Sequence, residues 1–193
     1  ATEWWTLFYR PQKVTPADDL PSGFLGEDRS NNDYWERVPY AFSLQSVYGG
    51  DFVLISVHLQ PGDSAADQTR RETELGSVFR WISENSSSEK DFIILGDMNI
   101  YTGEELVRLL PAGYISLNDE LRVTTTNQPP DEKGKPYDHV IYNPQWSSEL
   151  IDADYDLHVI DLVEEMNAYW QANEPYPGNP YDHNLFKQYY SDH

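Results

Sequence analysis

The sequence contains no cysteine among its 193 residues, so disulfide bridges and thiolate-ligated metal sites are both excluded. Positive charge is scarce as well: 13 Lys and Arg face 33 Asp and Glu, a formal net charge of −20. Such a chain lacks the long-range attraction that draws basic proteins onto nucleic acid. It can still act on a phosphate if cations or a local basic patch neutralise the site. The acidic residues are scattered along the chain (Asp18-Asp19, Glu27-Asp28, Asp152, Asp154, Asp156, Glu164-Glu165) and read as a solvated surface. No apolar run approaches the length of a membrane span. The first residues, Ala1-Thr2-Glu3-Trp4-Trp5, carry no basic segment of the kind that opens a signal peptide.

What is present is a globular core: 39% apolar and 14% aromatic residues argue for a folded chain, and the length suits one domain spanning residues 1–193. The centre of the pattern is Phe92-Ile93-Ile94-Leu95-Gly96-Asp97-Met98-Asn99. Four consecutive apolar residues predict a strand buried on both faces. Asp97 and Asn99, two apart, are presented together at its carboxyl end, where α/β sheets keep their ligand sites. Taken alone, that stretch is equally a polar turn.

Other segments repeat the arrangement. Phe52–Leu59 predicts a second apolar strand, with His58 near its end. Between the two, Ser64-Ala65-Ala66-Asp67 has the pattern of a capping box, and Leu75, Val78, Phe79 and Ile82 recur at helical spacing. The unit is strand, helix, strand. Trp4–Tyr9 and Trp35–Leu44 also read as strands, with a turn at Gly49-Gly50, and residues 15–32 as a surface loop. Thr102-Gly103-Glu104-Glu105 opens a short helix through Leu110. A polar loop over 123–136 leads to the strand Tyr137–Tyr142, which starts at Asp138. Leu162 to Trp170 predicts a further helix, and Gly178-Asn179-Pro180 breaks the chain before Ser191-Asp192-His193.

Collected from these element ends, Glu3, His58, Asp97, Asn99, Asp138, Asp192 and His193 are a set suited to metal-assisted phosphoester hydrolysis. A hard divalent ion takes oxygen ligands. One histidine can take a proton from the attacking water and the other can protonate the leaving oxygen. Each needs a carboxylate behind it to hold its tautomer. His139 directly follows Asp138 and faces the other way, so it is set aside. His158 and His183 have no partner pattern and read as surface residues. Thr124-Thr125-Thr126 either present a hydroxyl to phosphate or simply form a turn.

The motifs Phe8-Tyr9-Arg10-Pro11-Gln12-Lys13-Val14, Arg37-Val38-Pro39, Val57-His58-Leu59-Gln60-Pro61, Gly96-Asp97-Met98-Asn99, Tyr137-Asp138-His139-Val140-Ile141 and Ser191-Asp192-His193 occur in an order that resembles the endonuclease/exonuclease/phosphatase superfamily, in its deoxyribonuclease I-like branch. The resemblance implies an α/β fold, a four-layered sandwich of two mainly antiparallel sheets flanked by helices. It implies that His58 and His193 are the catalytic pair, with Asp138 orienting His193 and Glu3 backing His58. Asp97 and Asn99 would bind metal and scissile phosphate, Asp192 would be a metal ligand, and Arg37 and Tyr9 would contact substrate. The ion would be Mg²⁺, with Mn²⁺ or Ca²⁺ as substitutes, and the partner nucleic acid or another phosphodiester, met by a monomer.

Two departures stand out. The family's opening strands, including a Gln-Glu strand whose glutamate is its principal metal ligand, have no counterpart here, nor has its closing strand. The expectation is a domain truncated at both ends. The same chemistry on a small or lipid phosphoester, and a catalytically dead binding module, are the alternatives.

Overall fold

The computed structural model describes residues 4–29, 32–87, 89–126, 134–148, 150–151, 157–169 and 181–193. Glu3, Asp152, Asp154, Asp156, Trp170 and Gly178 to Pro180, each named above, lie outside them, as do residues 127–133 of the expected loop at 123–136.

The apolar segments form a single mixed sheet among the described residues. Its long strands are β3 (Tyr40–Ser46), β4 (Asp51–His58), β5 (Phe92–Asp97) and β7 (Asp138–Tyr142). Short strands β1 (Val14–Pro16), β2 (Gly23–Phe24) and β6 (Ile115–Ser116) pair at its edges, giving the order β1-β3-β4-β5-β7-β6 with β2 beside β3. The hairpin at Gly49-Gly50 makes β3 and β4 antiparallel, Gly49 taking a φ of +109° that suits glycine. β4 and β5 are parallel, joined by helix α1 (Ala65–Asn85), as the strand, helix, strand pattern requires. β7 then returns antiparallel to β5. Helices α2 (Gly103–Leu109), α3 (Pro144–Ser147), α4 (Leu162–Tyr169) and α5 (His183–Tyr189) complete the described elements.

α1 starts where its capping box sits: the Ser64 hydroxyl accepts from the Asp67 N–H, and the Asp67 carboxylate accepts from the Ser64 N–H. Leu75, Val78 and Ile82 face the sheet and pack with Val53, Ile55, Val57, Phe92, Ile94 and Ile141. Each such side chain contributes about 1.5–3 kcal/mol by leaving water. The alternate residues, Leu54, Ile93, Leu95 and Val140, point to the opposite face. There they line an open apolar hollow of about 470 Å³ with Leu117, Leu150 and Ile151. The described strands thus supply one sheet of the expected sandwich.

Four expectations differ. Residues 15–32 are not only a surface loop: they hold part of β1 and all of β2, both paired with β3. Residues 4–10 are not a strand: no described strand pairs with them, and Trp4 and Phe8 stand almost fully exposed. β3 begins only at Tyr40, because Pro39 has no N–H to give to a ladder. Trp35 and Val38 are nonetheless buried in the core. His183 is buried, 3% exposed, with Nδ1 bonded to the Tyr181 hydroxyl at 3.0 Å, because it opens α5 on the side that also buries Phe186. His158 is exposed as expected.

His139 pairs with Gly96 across the sheet and is buried on the α1 side, opposite to Asp138. Its Nδ1 meets the Ser116 hydroxyl at 2.9 Å, and burial pushes its pKa from 6.5 down to about 4. The folded state therefore binds this proton more weakly than the unfolded state. Stability from the neutral ring is complete above pH 6.5 and is lost as pH falls towards 4, by about 3 kcal/mol at 1.36 kcal/mol per unit. Urea midpoints at pH 7.5 and 4.5 should differ less in His139→Leu than in the unaltered chain. An equal difference in both would remove His139 as the source.

Candidate active site

The register of the sheet places His58, Asp97 and Asp138 side by side, since His58 pairs with Asp97 and Asp97 with Asp138. All three point to the face away from α1, at the carboxyl end of β4 and β5. The chain can close up there because position 96 is glycine. A Cβ at Gly96 would collide with the Val57 carbonyl oxygen, and its φ of +135° disfavours any other residue. Past the strand end, Asn99 adopts a φ of +51°, a left-handed conformation that asparagine tolerates better than most. Its N–H donates to Asp97 Oδ1 at 2.9 Å and its Nδ2 to the Leu59 carbonyl at 3.1 Å. Asp97 and Asn99 are thereby locked to the segment that carries His58.

His193 reaches the same point from the far end of the sequence. Its Nδ1 donates to Asp138 Oδ2 at 2.6 Å, and its Nε2 lies 3.4 Å from Asp97 Oδ2. His58 Nε2 is also 3.4 Å from that oxygen. The segment is tied down by hydrogen bonds from the Thr126 N–H to the Asp192 carbonyl at 2.8 Å and from the His193 N–H to the Ser191 hydroxyl at 3.0 Å. His58, Asp97, Asn99, Tyr137, Asp192 and His193, with Pro61, line one pocket of about 440 Å³.

The electrostatics follow from this crowding. Burial raises the Asp97 pKa above the usual carboxylate range, while His193, the Asn99 N–H and His58 pull it back. The hydrogen bond to Asp138 raises the His193 pKa against the effect of burial, helped by the charges of Asp138, Asp97 and Asp192. Burial and the neighbouring Tyr101 raise Tyr137, which stays a neutral phenol.

Asp97, Asn99 and Asp192 thus share one pocket. Oxygen donors of this kind suit Mg²⁺, which takes one or two carboxylates and completes its shell with water and substrate phosphate. They are not a protein-only cage: among the described residues no three His, Cys, Asp or Glu side chains are grouped so as to hold an ion. Arg37 lies beside the site, its Nη1 donating to the Leu59 carbonyl at 3.4 Å. Tyr9 is exposed and, among the described residues, neither hydrogen-bonded nor stacked with any residue of the pocket.

Support beneath the pocket comes from residues that sequence reasoning did not assign to it. Arg71, fully buried in α1, bonds Glu105 Oε1 at 2.8 Å through Nε. Its Nη1 donates to the Gln60 and Gly62 carbonyls at 2.8 and 2.7 Å. Glu74, also buried, accepts from the Gln60 N–H at 2.7 Å and the Glu36 N–H at 3.2 Å. The available signal was positional: 71, 74, 75, 78 and 82 fall on a single helical stripe.

No family model matches the chain, and no curated protein matches it. Solved structures do. An endonuclease/exonuclease/phosphatase family protein from Bacteroides thetaiotaomicron superposes with a TM-score of 0.53 at 17% identity, over 70% of this chain and 52% of that one. A functionally unknown conserved protein from Enterococcus faecalis gives 0.52 at 18%, over 69% and 56%. D. rerio TDP2 complexed with single-strand DNA product gives 0.48 at 18%, over 68% and 54%. The chain spans about half the length of these structures. Over that span the chain shares its fold with the Bacteroides thetaiotaomicron and Enterococcus faecalis proteins.

Proposed function

We propose that this chain carries the acid–base centre of a Mg²⁺-dependent phosphodiesterase, a deoxyribonuclease I-like endonuclease acting on nucleic acid as a single-domain monomer. The observation that supports it most is the convergence of His58 and His193 on Asp97 Oδ2, with His193 held from behind by Asp138. Two imidazoles around one pocket suit a reaction that removes one proton and supplies another. Water attacks phosphorus, the bond from phosphorus to the leaving oxygen breaks, and one histidine takes the water proton as the other protonates the leaving alkoxide. Asp138 holds His193 in the tautomer with Nδ1–H, leaving Nε2 to exchange protons with the reactants. Asn99, which lines the same pocket, would contact a phosphoryl oxygen. Asp97, Asn99 and Asp192 would hold Mg²⁺, which neutralises phosphate charge when bound. Glu3, outside the described residues, is the proposed partner of His58.

The second reading keeps this chemistry on a small or lipid phosphoester. It is favoured by the fate of Arg70 and Arg71 on α1, adjacent cations that a nucleic-acid groove could have used. Arg71 is buried, and Arg70 bonds the Asp33 carbonyl and pairs with Glu74. Nicking of supercoiled plasmid in Mg²⁺, lost with chelator and reduced about 10²-fold in His58→Ala, is the result expected for the nuclease. Hydrolysis of bis(4-nitrophenyl) phosphate with plasmid left intact would favour the second reading. Inertness towards both, by a folded protein, would sink catalysis by this chain.

A further inference from the structure

His193 and Asp192 stand at the wall between two pockets. Beyond the catalytic one lies a second, of about 300 Å³, also bordered by Tyr137 and lined by Thr125, Thr126, Lys135 and Lys187. In a chain with 33 acidic and 13 basic residues, two lysines at one small pocket are an unusual local excess of positive charge. Among the described residues neither lysine has an ion-pair partner, whereas Arg70, Arg71 and Arg122 each pair with a glutamate. Asp192 lines the pocket as well, and it equally faces the catalytic side.

The lysines are mounted on elements that are fixed relative to His193. The Thr124 and Thr125 N–H groups donate to the Lys135 carbonyl at 2.9 and 3.1 Å, and the Lys135 N–H donates to the Thr125 hydroxyl at 2.7 Å. Thr124 Oγ1 accepts from the N–H of Asp138, the residue that orients His193. Lys135 Nζ lies 5.7 Å from the Tyr101 ring centroid, which steadies its stem. Lys187 sits in the last turn of α5, and the chain runs from there directly into Ser191-Asp192-His193. Lys135 and Lys187 are both exposed residues that line this pocket, and so are reachable by a ligand.

We propose that Lys135 and Lys187, with Thr125 and Thr126, form a subsite for a second phosphate that adjoins the scissile phosphodiester on the His193 side. This inference rests on the phosphodiesterase reading above and narrows its substrate to molecules with neighbouring phosphates. The second phosphate is either the next one along a nucleic-acid strand or a terminal monophosphate on a small molecule. A cation pair at a single pocket serves both, without an extended basic track, to which Arg70 and Arg71 do not contribute.

The test compares TpT, which has one phosphodiester and no other phosphate, with TpTpT, pTpT and TpTp. The unaltered protein should favour at least one phosphate-extended substrate over TpT by about tenfold in kcat/KM, the scale of a charge-assisted contact. In Lys135→Ala/Lys187→Ala that ratio should fall to near one, and in Lys135→Arg/Lys187→Arg it should persist. Preference for TpTpT identifies a strand as the source. Preference confined to pTpT or TpTp identifies a terminal phosphate. A ratio near one in the unaltered protein, or one that the alanine pair leaves intact, overturns the subsite. If no substrate is hydrolysed, the catalytic reading fails while the subsite is still decided by binding. Thymidine 3′,5′-bisphosphate should then bind about tenfold more tightly than thymidine 5′-monophosphate, and the alanine pair should erase the difference. Equal affinities overturn it.

Discussion

Asp138→Asn should lower kcat/KM for phosphodiester hydrolysis by about 10³- to 10⁴-fold while leaving the fold intact. The substitution is nearly isosteric, and the backbone at position 138 is held independently of the side chain. Its N–H donates to Thr124 Oγ1 at 3.0 Å and its carbonyl accepts from Asn118 Nδ2 at 3.0 Å. What changes is the partner of His193. A carboxylate 2.6 Å from Nδ1 accepts the Nδ1 proton and stabilises the imidazolium. An amide can instead donate to Nδ1, which moves the ring proton to Nε2 and removes the charge that favoured protonation. The sign of the pH effect follows. Asp138 raises the His193 pKa, so the limb of the pH–rate profile that reports His193 should move to lower pH in the variant, whether that histidine acts as acid or as base. A loss of activity with the profile in place would mean that Asp138 supports structure and does not tune His193. A loss below tenfold would remove it from the mechanism.

The elements whose pattern is local are legible in the sequence. The parallel pair β4 and β5 with α1 between them follows from two apolar runs, a capping box and a 3.6-residue period. The placing of His58, Asp97 and Asp138 follows from where those runs end. His139 can be set aside because alternate residues in a strand face opposite ways, and the register places it against Gly96. What is not legible depends on pairing partners far along the chain. Trp4 to Tyr9 has the composition of a strand, yet composition cannot supply the neighbour that makes one. His183 reads as a surface histidine because nothing local announces its burial beside Phe186 and its bond to Tyr181. Arg70 and Arg71 are adjacent positive charges that by sequence could equally line a groove. They diverge because residue 71 falls on the apolar stripe of α1 and residue 70 does not.

That stripe leads to the largest expected effect on stability. Arg71→Met should destabilise the protein by about 3–5 kcal/mol, a large share of the roughly 5–15 kcal/mol available to a domain. The methionine fills much of the space but leaves the Glu105 carboxylate, 2% exposed, without its cation. The Gln60 and Gly62 carbonyls also lose their donor. Removing the stranded charge as well should recover part of the loss, so Arg71→Met/Glu105→Leu should have a higher urea midpoint than Arg71→Met alone. A single variant within about 1 kcal/mol of the unaltered protein would show that the buried pair anchors little. Activity of the double variant separates stability from position. Arg71 joins the segment after His58, through Gln60 and Gly62, to the segment after Asn99, where the other oxygen of Glu105 accepts from the Tyr101 N–H at 3.3 Å. Without that link the segments after His58 and Asn99 lose one of their ties, and the Asn99 bond to the Leu59 carbonyl and the Glu74 bond to the Gln60 N–H carry more of the positioning. Because misplacement by about 1 Å costs on the order of 10²-fold in rate, the double variant should refold yet show a reduced kcat with KM little changed. Full activity in a stable double variant would instead assign Arg71 to the core alone.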